Sequence, residues 1–516
     1  MKYALGSGQM KAIDRYTIET VGIPSMVLME KAAMAVVRHT KELCSEKDTI
    51  LAVCGYGNNG GDGIAAARIL FMEGYHVAIY MVGEKERATK ETKQQMKIAK
   101  KIGVPMLRKV KWEEYTVIVD AIFGIGLTRA VAGEFRKIVE SINNSEAKVV
   151  AVDIPSGVSA DDGKVLGTAV KADLTVTFGY QKVGCLLFPG SECAGRVFVE
   201  DIGFANGGLS EAPTRFYFDE EPGALLPIRQ KNSNKGTYGK VLVIAGSKNM
   251  SGAAYFAATA AYRMGSGLVR ILTAQENREI LQRQIPEAIL TTYDTLEDGI
   301  SETDAESIKE AVEWASVIVL GPGLGMSAMS ARIVNYVICE CKVPLVIDAD
   351  GLNIISRMIT EKVPEEAGVE GRIRYLAELL PAETILTPHK KELSVLTGIP
   401  LADLVGCLID SSASCTYNND LIYVKKDVRT LVSFGNSDYI NVSGNDGMAT
   451  AGSGDVLAGM IAGLLAQGEP QKMAAMAGCF LHGLAGDVAA KKKGPRSMLA
   501  SDILEAIPEV LQEVKL

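Results

Sequence analysis

Short apolar strands alternate with helical stretches in two separate series, and this rhythm limits the possible folds more than any other feature of the chain. In the first series, strand-like runs fall at Thr49–Cys54, His76–Val82, Thr116–Ala121, Lys148–Asp153 and Asp173–Phe178. Helical patterns at Pro24–Leu43, Ile64–Glu73 and Ala88–Lys101 separate several of them. The runs are almost continuously apolar, as strands must be when helices cover both faces of a parallel sheet. Strand, helix and strand in repetition predict βαβ units. The second series begins with Lys240–Ala245 and an alanine-rich helix at Ala253–Met264. Strands follow at Leu268–Thr273, Ser316–Leu320, Pro344–Ile347 and Thr384–Leu386, then a β-meander over Leu421–Val442. Three helical patterns, starting near Asp455, Gln471 and Ser501, close the series. Between Phe204 and Lys235 the alternation stops, and Gly207, Gly208, Pro213, Pro222 and Pro227 mark a break. The expectation is therefore two α/β domains, residues 1–204 and 235–516, with a linker or edge segment over 205–234. A length of 516 residues agrees, because one hydrophobic core stops growing at roughly 250–300.

Composition excludes several classes. With 47% hydrophobic residues the chain can fill real cores, and its net charge of −8 is the opposite of a nucleic-acid binder's footprint. The 9 cysteines are odd in number and form no CxxC pair, so free buried thiols in a reducing compartment are expected. With only 4 histidines, a His-rich metal site is not expected. Met1–Gln9 lacks the basic-then-apolar pattern of a signal peptide. The most apolar helical stretch, Val456–Ala466, is too short to cross a bilayer. A cytoplasmic protein with small-molecule partners, neither nucleic acid nor membrane, is the expectation.

Two glycine-rich turns carry the chemistry. Gly55-Tyr-Gly-Asn-Asn-Gly-Gly-Asp-Gly63 lies between a strand and a helix. Glycine allows positive φ and close backbone approach, and the following helix offers free N–H groups to phosphate. Gly55, Gly57 and Gly60 also satisfy GxGxxG with Glu84 about twenty residues on, so a dinucleotide-binding fold competes as a reading. Asp62 opposes that simple version, since a carboxylate repels a pyrophosphate. A tight turn with capping residues is the bland alternative. Asp120, followed by Phe123-Gly-Ile-Gly-Leu-Thr-Arg129, and Asp153, followed by Ile154-Pro-Ser-Gly157, end two further strands. Ligands of open parallel sheets bind at such strand ends. Asn59, Asp120 and Ser156 offer hard oxygen donors to a cation, and Asp153 is a candidate general acid or base.

In the second series, Ala451-Gly-Ser-Gly-Asp455 opens a long apolar helix. Consecutive amides at Gly452, Ser453 and Gly454 can hold a phosphoryl group, and Asp455 can take a hydroxyl proton. Gly321-Pro-Gly-Leu-Gly325, Asp348-Ala-Asp-Gly-Leu-Asn353, Thr387-Pro-His389-Lys-Lys-Glu392 and Lys426-Asp-Val-Arg-Thr430 mark the neighbouring strand ends and a hairpin. Glu392 is a candidate magnesium partner and His389 a candidate substrate contact; His39, His76 and His482 are read as structural.

In order, these motifs resemble the bifunctional NAD(P)H-hydrate repair enzymes. The similarity covers about Met10–Gly203 for their epimerase domain and about Asn232–Leu516 for their ribokinase-like dehydratase domain. The resemblance implies a Rossmann-like three-layer parallel sheet followed by a ribokinase-like α/β domain. It implies interconversion of R and S hydrates of NADH and NADPH, with potassium held by Asn59, Asp120 and Ser156. Hydrate contacts would fall at Asn58, Asn59, Gly60, Gly61, Asp62, Gly124, Ile125, Gly126, Leu127, Thr128, Arg129, Ala130 and Asp153. In the second domain it implies ADP-dependent dehydration, with magnesium. Hydrate contacts there fall at Ala253 or Ala254, Gly323, His389 and Asp455. Nucleotide contacts fall at Lys426, Asp427, Val428, Arg429, Thr430, Gly452, Ser453 and Gly454. A homo-oligomer is expected. One position departs from the pattern: the nucleotide loop usually has glycine where Asp427 stands. A small-alcohol kinase fused to a non-catalytic nucleotide-binding module is the rival, separable by its stable phosphorylated product.

Overall fold

In the computed structural model, the residues described are 1–219, 222–294, 301–402, 404 and 420–512. The chain forms two compact units, Tyr3–Arg215 and Phe216–Leu516, the second also holding Met1–Lys2. Parts of the interval 235–516 and of the stretch 205–234 lie outside the described residues, as do Cys407 and Cys415.

The first unit is built on a seven-stranded sheet. Its strands are β1 (Thr49–Cys54), β2 (His76–Met81), β3 (Met106–Leu107), β4 (Val117–Ala121), β5 (Lys148–Val152), β6 (Leu174–Phe178) and β7 (Arg196–Glu200). Their order is β3-β2-β1-β4-β5-β6-β7, and every pairing is parallel. Ile50–Cys54 are all fully buried, because α1 (Ser25–Leu43) and α2 (Asn58–Met72) press on one face and a second apolar cluster fills the other. Winding reverses between β1 and β4, which opens a crevice at their C-terminal ends.

The second unit repeats that winding. Its strands are β8 (Lys240–Ile244), β9 (Leu268–Ala274), β10 (Ile289–Tyr293), β11 (Val317–Leu320), β12 (Leu345–Ile347), β13 (Ile385–Leu386), β14 (Ile422–Lys425), β15 (Leu431–Phe434) and β16 (Ser437–Ile440). They follow the order β10-β9-β8-β11-β12-β13-β14-β15-β16. Pairing is parallel up to β14, and β14, β15 and β16 form the antiparallel meander read from sequence. The helices that matter here are α3 (Ser251–Arg263), α4 (Lys390–Thr397), α5 (Ser453–Ala466) and α6 (Gln471–Lys493). α5 is apolar all round because it is a core helix: Val456–Leu465 are buried. It lies so close to α3 that a Cβ on Gly459 would stand 2.1 Å from the Ala257 carbonyl oxygen. Small residues on both helices thus fix where the N-terminus of α5 sits.

Four expectations change. β10 was not foreseen, since its half-exposed Ile-Leu-Thr-Thr-Tyr run is that of an edge strand. Within the stretch read as linker, Phe216, Phe218 and Leu225 are buried in the second unit's core. α6, rather than Val456–Ala466, is the helix long and apolar enough to cross a bilayer by composition, and most of its apolar window is buried inside the unit. The thiols are not uniformly buried either: Cys339 is exposed.

Candidate active sites

The glycine loop of the first unit is mostly helix. α2 begins at Asn58, two turns before the helix expected from Ile64. None of Gly55, Gly57, Gly60, Gly61 and Gly63 has positive φ. Gly60 and Gly63 are glycine because α2 lies against its neighbours: a Cβ would come 1.8 Å from the Gly55 carbonyl oxygen and 2.3 Å from the Ala121 Cβ. That contact seats the first turn of α2 at the crevice.

A cavity of about 700 Å³ opens there, lined by Asn58, Asn59, Asp62, Gly124–Arg129 and Asp153. Gly60 and Gly61 lie behind it, Gly61 packed toward Met29 and Thr92. Ala130 is exposed and outside the lining, since the chain has already turned away. Asp153 stands one residue beyond β5 with φ 65°, a left-handed conformation that an aspartate keeps only under constraint. The constraint is visible. Its Oδ1 lies 2.8 Å from the Lys182 Nζ and accepts from the Thr177 hydroxyl (3.1 Å) and the Phe178 amide (3.3 Å). Asp62 lines the same cavity, with no counter-ion among the described residues. Burial, then Asp153 and Asp14, push its carboxyl well above the usual carboxylate range. Asp14 is raised likewise, by burial and by Asp153.

Asp120 and Ser156 sit beneath this floor, fully buried. Asp120 accepts from the Ser156 hydroxyl (2.6 Å) and amide (2.8 Å), and burial raises its carboxyl to about 6. The Ser156 hydroxyl also touches the Phe123 amide (2.8 Å) and carbonyl (3.3 Å). Asn59 comes within contact of Gly124, and its amide nitrogen is buried without a partner. Asp120 and Ser156 are therefore in contact, with Asn59 beside the same loop. Their donors are hard oxygens. Among the described residues no group of three or more His, Cys, Asp and Glu stands ready for a metal ion.

In the second unit, Gly452 has φ 91° and turns the chain so that α5 starts at Ser453. Asp455 follows in the first helical turn. Burial and Asp348 raise its carboxyl to about 7, against the opposing pull of Lys426. The Lys426 Nζ is 2.7 Å from the Asp348 Oδ1, and a Cβ on Gly454 would meet both side chains, at 3.1 and 3.4 Å. Burial alone would depress the Lys426 ammonium; Asp348 and Glu392 hold it above its ordinary value. Ala253 packs toward Gly323, where a Cβ would approach it to 2.8 Å. Ala254 is a core residue and faces away. His389 and Glu392 form a capping box on α4. The Glu392 carboxylate accepts from the His389 amide (2.8 Å), and the His389 Nδ1 accepts from the Glu392 amide (3.1 Å). In the hairpin, Asp427 pairs with Lys390 (2.7 Å) and Arg429 donates to the Val442 carbonyl (2.9 Å), while Val428 is exposed. Thr430 accepts through its carbonyl from the Asn441 amide.

Sequence reasoning missed Lys182 and Asp14, placed Asp348 only as the start of a strand-end motif, and gave His482 no part in the site. Asp348 carries the signal that drew attention to Asp153: an aspartate one residue beyond an apolar strand. His482, read as merely structural, is buried on α6 with its Nε2 3.4 Å from the Ser453 hydroxyl, and burial lowers it to about 4. Nothing in the local pattern marks Lys182 as a buried cation.

These features define a two-unit α/β protein with a carboxylate–lysine site at a strand end in each unit. Residues 25–184 match the family model described as the YjeF-related protein N-terminus, and residues 241–509 that of the NAD(P)H-hydrate dehydratase. A bifunctional NAD(P)H-hydrate repair enzyme of Thermofilum pendens is 35% identical, covering 98% of this chain and 96% of its own length. Its counterpart in Moorella thermoacetica is 33% identical over 99% and 97%. A solved ADP/ATP-dependent NAD(P)H-hydrate dehydratase of Bacillus subtilis, co-crystallised with ATP and Mg2+, is 26% identical over 57% of this chain and 96% of that one, with a TM-score of 0.47. The chain belongs to the bifunctional NAD(P)H-hydrate repair enzymes.

Proposed function

We propose that this chain repairs hydrated NADH and NADPH, interconverting the R and S hydrates in the first unit and dehydrating the S hydrate with ADP in the second. Full-length kinship supports the pairing of activities. The observation that carries the chemistry is Asp455, an acid raised to about 7 in the first turn of α5, behind the Gly452 turn and beside Lys426.

The hydrate bears a hydroxyl on the carbon next to the ring nitrogen, and hydroxide is a poor leaving group. In the second unit Asp455 takes the hydroxyl proton as the terminal phosphoryl of ADP moves to that oxygen. The new O–P bond forms, the bond to the bridging oxygen breaks, and AMP leaves. Amides at the start of α5 and the Lys426 ammonium hold the phosphoryl charge. The nitrogen lone pair then expels phosphate, and loss of a proton from the adjacent ring carbon restores the dihydronicotinamide. In this region Asp348 is tied to Lys426 and Glu392 to its capping box, so a magnesium ion would come with the nucleotide phosphates, adding charge neutralisation.

In the first unit Asp153 takes the hydroxyl proton, the carbon becomes a carbonyl as its bond to nitrogen breaks, and nitrogen receives a proton from Asp62. Rotation and reclosure return both protons and give the other hand. The oxygens of Asn59, Asp120 and Ser156 suit potassium, which would supply positive charge beneath the cavity and keep Asp120 ionised.

The test offers S-hydrate with ADP and follows reduced-nicotinamide absorbance. Recovery with one AMP and one phosphate per dihydronicotinamide is expected; a stable phosphorylated product would refute repair in favour of a kinase. R-hydrate should also be recovered, and Asp153→Ala should block that route alone.

A further inference from the structure

The least expected group in the first unit is Lys182. It is fully buried, and lysine is almost never found so unless paired. It follows β6 by a short turn and sits in register with Leu5. Its ammonium donates to the Thr177 hydroxyl (2.8 Å) and to the carbonyls of Phe178 (2.9 Å) and Tyr180 (3.0 Å), with the Asp153 Oδ1 at 2.8 Å. Three carbonyl and hydroxyl oxygens thus fix a cation behind a single carboxylate oxygen. Thr177 closes the arrangement, receiving from Lys182 and donating to the same Oδ1. Among the described residues the partners of Asp153 all fall on Oδ1, and the residue lines the cavity. Asp14 and Asp62, the other carboxyls coupled to Asp153, have no cation of their own among the described residues, and the buried Cys185 thiol, on the turn of helix after Lys182, is pushed up to about 12 by burial.

We propose that Lys182 is the positioning residue of the epimerisation site. With Thr177 it ties down one oxygen of Asp153, holds the left-handed backbone at that residue, and leaves the second oxygen to accept the proton of the ring hydroxyl. The inference rests on the epimerase reading of this cavity. A buried ion pair is costly to desolvate and adds little stability by itself, so its retention here fits a role in chemistry.

The experiment uses the full chain, with R and S hydrates and interconversion followed by chromatography. Wild-type chain run in parallel separates the two levels: no interconversion by wild type overturns the epimerase reading itself. Given wild-type activity, Lys182→Met should lower kcat by about 100-fold, the scale of general acid–base catalysis, with KM changed less than about threefold. Lys182→Ala should regain part of that kcat with added methylammonium. An unchanged kcat in Lys182→Met, or a loss confined to KM, overturns the inference. If Lys182→Met does not fold, Thr177→Val decides: lower kcat at constant KM supports the positioning role, and unchanged kcat overturns it.

Discussion

The two units solve one geometric problem in the same way and one chemical problem differently. Each winds its sheet outward from a first strand and reverses to a fourth. Each places an aspartate one residue past its fifth strand, Asp153 after β5 and Asp348 after β12, and pairs it with a lysine, the buried Lys182 or the half-buried Lys426. Each also puts a second acid in the first turns of a helix, Asp62 in α2 and Asp455 in α5, and burial raises both. The glycines beside them do different work. In α2 they permit contact between helix and sheet with ordinary backbone angles, whereas Gly452 makes a left-handed turn from which α5 starts at Ser453. The first unit accordingly offers a walled cavity in which Asp14, Asp62 and Asp153 raise or feel one another's charge, an arrangement suited to moving protons. The second sets the raised acid Asp455 beside the Asp348–Lys426 pair at a helix start, an arrangement suited to phosphoryl transfer. On the proposed function, similar winding sets where a ligand goes, and the backbone at one glycine and the partner of one acid set what happens to it.

The sharpest way to break this division is Asp455→Asn. Dehydration should fall about 1000-fold, within the range for a lost general base, while R/S interconversion stays within twofold. Equal loss of both activities would show that the sites are not chemically separate. The same variant has a stability signature. A carboxyl raised in the fold resists ionisation, so the neutral form is favoured at low pH and the fold loses stability as pH rises toward about 7. Asparagine never ionises. Its melting temperature should therefore exceed that of the wild type above pH 7 and match it more closely near pH 4.

Gly60→Ala tests the glycine contrast. A Cβ 1.8 Å from a carbonyl oxygen forces α2 off the sheet, at about 3 kcal/mol. Thermal unfolding of the first unit should shift down by several degrees and R/S interconversion should disappear with it. Gly452→Ala should instead leave that transition in place and lower the dehydration kcat, because the strain falls on the α5 turn. A Gly60→Ala chain that melts like wild type would remove the packing explanation for α2.

A smaller effect is the pH dependence of dehydration. Asp455 accepts a proton only when ionised, so kcat/KM should rise with pH up to about 7 and then level off, falling about tenfold per unit below that value. A profile flat from pH 5 to 8 would transfer the base role elsewhere.

Much of this was legible before any coordinates. Continuous apolar strands announced the parallel sheets, and the strand-end acids and glycine turns lie at the C-terminal strand ends, where the first unit's cavity opens. What stayed hidden was set by tertiary contact. Lys182 looks like any surface lysine until the Phe178 and Tyr180 carbonyls enclose it, and the reach of α2 back to Asn58 depends on the sheet it touches. Ala253 and Ala254 are indistinguishable in sequence, yet one faces Gly323 and the other the core, a matter of helical phase.

The smallest expected effect lies at Asp427, where the resemblance led to the expectation of glycine. A carboxylate in a nucleotide loop should repel phosphates, but Asp427 is already bound to Lys390 at the start of α4, with both side chains partly exposed. An exposed pair of this kind contributes roughly 0.2–1 kcal/mol. Asp427→Gly removes one negative charge and frees the Lys390 ammonium, so ADP should bind more tightly, with KM lowered about twofold to threefold and kcat unchanged. The gain should shrink at high salt, where the freed charge is screened. A KM that rises instead would mean that the ion pair shapes the loop for its nucleotide, and that here the departure from glycine strengthens the second site rather than weakening it.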